Sequence, residues 1–131
     1  MVVVTYNAAD EIEETLDHLF GGTQRGLRAV VVDNASTDDT RRRVTSFDAP
    51  VEFVQLAEDL GYGSGVNVGA QRANREFLAV ISQDVCVSDS WLTHSIKALD
   101  EDPDLAFVTP KILVKQDPER INTCGNNIHL S

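Results

Sequence analysis

Short β-branched apolar runs alternate with amphipathic segments along most of this chain, and this alternation most constrains the fold. The spacing predicts helices over 10–20, 37–46, 66–75 and 89–99. Apolar runs predict strands near 2–5, 29–33, 51–56, 77–82 and 105–109. Such an order is typical of an α/β fold, a Rossmann-like sandwich with a mainly parallel sheet and helices on both faces.

Polar residues follow the predicted strands. In open α/β sheets, ligands bind beyond the carboxyl ends of the strands. Four segments lie at or beyond the ends of the strands, namely Thr5-Tyr6-Asn7, Asp33-Asn34, Gly61–Gly65 and Ser82-Gln83-Asp84. Because parallel strands end at the same edge, we expect these segments to form one site.

Two of these segments have a binding interpretation and a purely structural one. Asp33 at a strand tip can accept hydrogen bonds from a base or ribose, but Asn34 and Ser36 can also form a turn and a helix cap. The glycine-rich segment 61–65 does not have the G-x-G-x-x-G spacing of a dinucleotide loop, and no Lys follows it. It is either a tight loop that lets backbone approach a ligand or a plain glycine turn.

Asp84 places one carboxylate just past a buried strand. An oxygen ligand there suits Mg²⁺ or Mn²⁺ bound jointly with substrate phosphates, although a turn or cap role is the commoner one. The histidines, His18, His94 and His129, are scattered and are assigned no chemistry. Cys86 and Cys124 are not at zinc-ligand spacing, and two cysteines favour a reducing cytoplasm.

Composition limits the partners. With 131 residues, 42% of them hydrophobic, the chain is the size of one domain and can bury a core. Its formal net charge of -10 argues against nucleic acid or an anionic membrane as a partner. No apolar stretch approaches the roughly 20 residues of a membrane span. Adaptation to high salt and ordinary drift both stay open as explanations of the acidic, lysine-poor composition.

Taken together, the segments resemble the inverting glycosyltransferase family 2, particularly its rhamnosyltransferase-like members. The matching stretches, in the family's order and spacing, are Val3–Asn7, Val31–Asp38, Asp59–Gly69 and Ile81–Asp84. The resemblance covers essentially the whole chain. It implies a GT-A-type α/β/α sandwich in which residues 1–131 form the nucleotide-sugar-binding portion.

The resemblance also implies roles for individual residues. The predicted nucleotide-sugar-binding residues are Thr5, Tyr6, Asn7, Asp33, Asn34, Gly65 and Asn67, with Asp33 on the nucleobase or ribose. Asp84 is the expected ligand of Mg²⁺ or Mn²⁺, bound together with the nucleoside diphosphate. Two departures stand out: Asp59 replaces an Asn that is frequent in the family, and Ser82-Gln83-Asp84 keeps one carboxylate of the D-x-D-type motif.

The implied reaction is transfer of a sugar from a nucleoside-diphosphate sugar to an acceptor hydroxyl. The family's catalytic base is an acidic residue well downstream, beside the acceptor-binding residues, so it is expected beyond Ser131. We therefore expect a fragment that is truncated at its C-terminal end and inactive alone, with a glycan or lipid-linked acceptor bound by the missing portion. The expected location is cytoplasmic, with the inner face of the membrane as an alternative for the full-length protein.

There are two alternative functions. A non-catalytic nucleotide-binding or interaction domain with a GT-A-like fold fits the reduced acidic motif and the missing base. A nucleotidyltransferase is disfavoured, because it would carry a glycine-rich loop with a basic residue after the first strand, where this chain has Tyr6-Asn7-Ala8-Ala9.

Overall fold

The computed structural model describes residues 1–124, and its first 89 residues form one compact unit around a parallel sheet. The strands are β1 (Val2–Thr5), β2 (Ala29–Asp33), β3 (Val51–Gln55) and β4 (Val80–Ser82). Their order in the sheet is β3-β2-β1-β4, and every adjacent pair is parallel. Helices α1 (Ile12–Gly21), α2 (Thr40–Thr45) and α3 (Tyr62–Ala73) form the connections. The predicted α/β fold is confirmed.

The direction of the crossovers explains how the helices cover both faces. The chain moves outward from β1 to β2 to β3 through α1 and α2, then returns across the sheet through α3 to β4. Because such crossovers are right-handed, the outward and the return helices lie on opposite faces. The reversal of direction places a switch point between β1 and β4, where ligands bind in sheets of this kind.

The core lies around the two central strands. All residues of β1 and β2 are buried, which accounts for their continuous runs of valine. Helix α1 adds the buried side chains Ile12, Leu16 and Leu19, spaced along one face. These contacts fix the position of α1 against the sheet.

The glycine-rich segment is helical, so the prediction of a loop over 61–65 and a helix starting at Val66 was wrong. Gly65 and Gly69, four residues apart on α3, face the strand β1. A Cβ on Gly65 would lie 2.8 Å from a methyl group of Val4, and one on Gly69 would lie still closer to Val2. Glycine is needed at these positions because the helix backbone packs directly on the sheet.

The residues from Ser90 onward form a second unit. It contains α4 (Trp91–Glu101) and an antiparallel pair, β5 (Ile112–Val114) and β6 (Asp117–Thr123). The predicted strand over 105–109 is not formed, and Phe107 within it is 75% exposed. A short apolar run becomes a strand only where a neighbouring strand can pair with it. Residues 125–131, including His129, lie outside the described residues.

Several boundaries also differ from the prediction. Strand β4 begins at Val80, and Phe77, expected to start it, is 37% exposed. Helix α2 begins at Thr40, because the Ser36 hydroxyl, expected to cap this helix, bonds to Asp33. Helix α4 begins at Trp91, two residues later than the predicted start at residue 89.

Candidate functional site

The buried ends of β1 and β2 are joined through Asp33. Thr5 and Asp33 are direct partners in the parallel register, and the Thr5 hydroxyl donates to Asp33 Oδ1 at 3.1 Å. The Ser36 N–H donates to Asp33 Oδ2 at 3.0 Å, and the Ser36 hydroxyl donates to Oδ1. Asp33 is fully buried, so its carboxylate organises the strand ends from below the surface.

Tyr6 and Asn7, which follow β1, are exposed above this layer. The Asn7 N–H donates to Ser36 Oγ at 2.8 Å, and Asn7 Oδ1 accepts from the Thr37 N–H at 2.9 Å. The two facing loops each contain a non-glycine residue with positive φ, Asn7 at 48° and Ala35 at 60°. Strained backbone of this kind clusters at ligand-binding positions.

Gln83 connects the loop after β4 to the loop after β1. Its Oε1 accepts from the Tyr6 N–H at 2.8 Å, and its Nε2 donates to the Tyr6 carbonyl at 3.4 Å. The Gln83 carbonyl accepts from the Thr15 hydroxyl at 2.6 Å, which also ties this loop to α1. Asp84 follows directly and is exposed, so its carboxylate is available to a ligand at the edge where β1 and β4 end.

The first turn of α3 lies beside Asn34. The Asn34 amide nitrogen is 3.6 Å from the position of a Cβ on Gly65, and both residues are buried. Within residues 1–124, Asn34 Oδ1 is one of two buried side-chain atoms that have no hydrogen-bond partner. Asn67 lies on the same helix and is exposed. A buried acceptor without a donor beside a helix N-terminus is suited to a ligand N–H or O–H group.

Asp38 connects the loop after β1 to the start of α2. Its Oδ2 accepts from the Ala9 N–H at 3.0 Å, and its Oδ1 accepts from the Thr40 N–H and hydroxyl. Burial acts to raise the pKa of the Asp38 carboxyl, but the hydrogen bonds from Thr40 and Ala9 outweigh it and lower this pKa. The ionised form of Asp38 therefore stabilises the loop.

The model of glycosyl transferase family 2 matches residues 1–126 of the chain. The chain belongs to glycosyltransferase family 2.

Relatives agree with this membership. The uncharacterized glycosyltransferase Rv0539 of Mycobacterium tuberculosis is 36% identical over 93 residues, which cover 71% of this chain and 41% of that protein. The mannosyltransferase PcManGT from Pyrobaculum calidifontis, in complex with GDP-Man and Mn²⁺, is 30% identical with a TM-score of 0.78, covering 90% of this chain and 36% of PcManGT. S. aureus TarS 1-349 in complex with UDP-GlcNAc is 28% identical with a TM-score of 0.71, covering 76% of this chain and 30% of TarS. The chain thus spans less than half the length of each of these relatives.

In this member of glycosyltransferase family 2, the predicted residues fall into an exposed and a buried group. The exposed ones are Tyr6, Asn7, Asn67 and Asp84, and the buried ones are Thr5, Asp33, Asn34 and Gly65. Sequence reasoning missed Gln83 as the link between two loops. Its position directly before Asp84 was visible, but its hydrogen bonds to Tyr6 depend on β1 and β4 being neighbours, which the order of residues alone does not reveal.

None of the helices within residues 1–124 has the length and hydrophobicity of a membrane-spanning segment.

Proposed function

We propose that this chain binds the nucleotide-sugar donor in an inverting glycosyltransferase. The observation that carries the proposal is the pair of hydrogen bonds between Gln83 and the backbone of Tyr6. They hold the expected nucleotide loop next to the segment that carries Asp84, at the switch point of the sheet. The whole enzyme would transfer the sugar to an acceptor hydroxyl.

The exposed and the buried residues would have different roles in donor binding. Tyr6, Asn7 and Asn67 would contact the nucleotide-sugar directly, because their side chains are accessible. Thr5, Asp33 and Gly65 would shape the pocket from beneath it, through the strand-end hydrogen bonds and the close approach of α3. Asp33, predicted from the sequence to contact the base or ribose, is fully buried with both carboxylate oxygens hydrogen-bonded, so the neighbouring Asn34 would make this contact instead. Asn34 Oδ1 would accept a hydrogen bond from the base or ribose, which would satisfy this buried atom.

A divalent cation fits the residues at the end of β4. Asp84 offers an exposed carboxylate, and Mg²⁺ or Mn²⁺ commonly binds through one or two carboxylates plus substrate phosphates. Asp84 would hold the cation, which when bound would neutralise charge on the leaving diphosphate. PcManGT, which contains GDP-Man and Mn²⁺, supports this assignment. The N-terminus of α3 would add further positive potential toward the phosphates.

The chain matches only part of each relative. The acceptor would be bound by the portion of the whole enzyme that corresponds to the unmatched part of these relatives. A carboxylate there would deprotonate the acceptor hydroxyl as a general base, and the acceptor would be a glycan or a lipid-linked glycan. This chain alone would bind the donor without turning it over. We place the enzyme in the cytoplasm, in keeping with its two cysteines.

A calorimetric titration of the folded chain with UDP, GDP and dTDP, each with and without Mn²⁺, tests the proposal. We expect one of the three to bind, and to bind more tightly with Mn²⁺. If none binds at millimolar concentration while circular dichroism shows a folded chain, the donor assignment is wrong. Sugar transfer by the chain alone would contradict the proposed position of the base.

The reduced acidic motif favours one alternative, a nucleotide-binding domain without catalysis. Gln83 is engaged in holding Tyr6, and Ser82 offers no carboxylate. A transferase assay on the full gene product, with the nucleotide-sugar identified by calorimetry, separates the two functions, because only the enzyme releases free nucleoside diphosphate in the presence of an acceptor.

A further inference from the structure

A group of three metal-ligating side chains lies between α1 and the loop after β4. Glu14 and His18 are four residues apart on α1, so they project from one face of the helix. Cys86, two residues beyond Asp84, meets them from the loop, and its thiol lies 3.6 Å from Glu14 Oε1. One ligand atom from each of the three residues lies within 4.8 Å of the other two. The proposed donor site uses none of these residues.

The backbone beneath this group is fixed on both sides. On α1, Ile12 and Leu16 are fully buried and anchor the helix to the core. Thr15, which follows Glu14 directly, donates its hydroxyl hydrogen bond to the Gln83 carbonyl at 2.6 Å. The loop that carries Cys86 is therefore attached to the same helix turn that carries Glu14. A metal site gains precision when its ligands stand on fixed backbone of this kind.

The three ligand types together select a particular kind of cation. A thiolate and an imidazole are poor ligands for Mg²⁺ but are preferred by Zn²⁺, which also binds carboxylate oxygens. With zinc–ligand bonds of roughly 2.0–2.3 Å, tetrahedral geometry needs ligand atoms roughly 3.3–3.8 Å apart. The observed separations between the ligand atoms are within 4.8 Å. Side-chain rotations that move these atoms by about an ångström would therefore bring them to tetrahedral spacing around one ion.

We propose that Glu14, His18 and Cys86 form a Zn²⁺ site with a fourth, open position for water. The ion would cross-link α1 to the segment that carries Gln83 and Asp84, and would therefore stabilise the folded chain. Zn²⁺ would bind here without nucleotide, in contrast to the cation at Asp84, which depends on the diphosphate. The proposal does not depend on the donor assignment.

Titration of the metal-free 131-residue chain, without a histidine tag, tests this site. We expect Zn²⁺ to bind at one equivalent and to raise the thermal unfolding temperature. Co²⁺ should give the absorption of a tetrahedral thiolate complex. Cys86→Ser, His18→Gln and Glu14→Gln should each lower the Zn²⁺ affinity by at least about tenfold, since even outer-shell changes at zinc sites cost that much.

Matched controls use the same residue types elsewhere in the chain. Cys124→Ser, His94→Gln and Glu11→Gln change exposed residues outside the proposed site and should leave the affinity and the Co²⁺ spectrum unchanged. Absence of a thiolate–cobalt band, or equal losses in the site and control variants, would overturn the proposal. Because all three ligands are exposed, the variants should fold, and circular dichroism of each verifies this.

Discussion

The side-chain amide of Gln83 holds the backbone of Tyr6 from both sides, accepting from its N–H at 2.8 Å and donating to its carbonyl at 3.4 Å. The two residues are 77 positions apart in sequence. They meet because β4 joins the sheet beside β1 rather than beyond β3. This contact makes the shape of the loop after β1 depend on the segment that carries the proposed metal ligand.

Gln83→Met should therefore weaken nucleotide binding without unfolding the chain. Methionine keeps the length of the side chain but cannot bond to the Tyr6 backbone. The two hydrogen bonds contribute about 0.5–1.5 kcal/mol each, or about 1–3 kcal/mol together, so we expect nucleotide affinity to fall by about five- to 150-fold. Calorimetry measures the loss, and Gln71→Met, at an exposed position on α3, is the control. Equal affinities of the two variants would show that Gln83 does not position the loop.

Asp33→Ala should reduce the stability of the fold. It should also weaken nucleotide binding, because Asp33 holds the strand ends beneath the proposed pocket. The Asp33 carboxylate is fully buried and accepts from Thr5 and Ser36. Removing it leaves buried donors without acceptors, which costs about 1–3 kcal/mol of unfolding free energy. Urea denaturation measures this cost. Asp48→Ala, at an exposed position, should change stability by less than about 0.5 kcal/mol. A fully stable Asp33→Ala variant would contradict the organising role.

Two glycines on α3 offer a matched pair for the packing of helix on sheet. A Cβ on Gly65 would lie 2.8 Å from a Val4 methyl group, whereas one on Gly63 would meet no atom within 4 Å. Gly65→Ala should therefore destabilise the chain by about 1–3 kcal/mol through overpacking. Gly63→Ala should be neutral or stabilise it by up to about 1 kcal/mol, because alanine favours the helix. Urea denaturation curves in which Gly65→Ala matches Gly63→Ala would refute the close packing.

The strands of the central sheet could be predicted from the sequence more accurately than the arrangement of residues at the candidate site. β1 and β2 are buried on both faces, so their valine runs could be recognised without any tertiary information. The helical state of Gly63 and Gly65 could not be recognised in this way, because glycine disfavours a helix, and the contact with Val4 that requires glycine at position 65 is a tertiary one. The strand predicted over 105–109 is absent for a similar reason, because a strand must pair with a neighbouring strand and the local sequence pattern does not specify that neighbour.

The same limit applies to Asp33. Its place at a strand tip was predicted correctly, because the buried run ends there. Its burial could not be predicted, because it depends on Thr5 lying directly opposite in the register of two strands. A polar side chain at the end of a strand is expected to be exposed from the sequence, but it becomes buried when neighbouring loops cover it.

The hydrogen bonds of Asp38 predict a pH dependence of stability. The folded state lowers the pKa of this carboxyl from 3.8. Its contribution to stability is therefore complete above that value and is lost as the pH falls through the lower pKa of the folded state. Asp38→Asn should be less stable than the native chain at neutral pH, and the difference should narrow below about pH 4. Thermal unfolding of both proteins between pH 2 and 7 provides the measurement, and a difference independent of pH would contradict a role for the ionised carboxylate.

Asp84 allows the sharpest test of the proposed cation. A single carboxylate is a weak site for Mn²⁺, which gains most of its ligands from phosphate oxygens and water. Mn²⁺ should therefore bind poorly alone and much better with nucleoside diphosphate, and by linkage the nucleotide should gain the same factor from Mn²⁺. Asp84→Asn keeps the shape but removes the charge, so it should abolish this mutual enhancement while sparing most nucleotide binding in the absence of metal.

The control for this variant is Asp89→Asn, an exposed aspartate five residues further along the chain. It should retain the full coupling between Mn²⁺ and nucleotide, which calorimetric titrations of each ligand in the presence of the other measure. If Asp84 served only in a turn, Asp84→Asn would instead lose stability and keep the coupling. Absence of coupling in the native, folded chain would show that Asp84 holds no cation with the nucleotide. The diphosphate would then have to be stabilised by groups of the protein itself, such as the N–H groups at the N-terminus of α3.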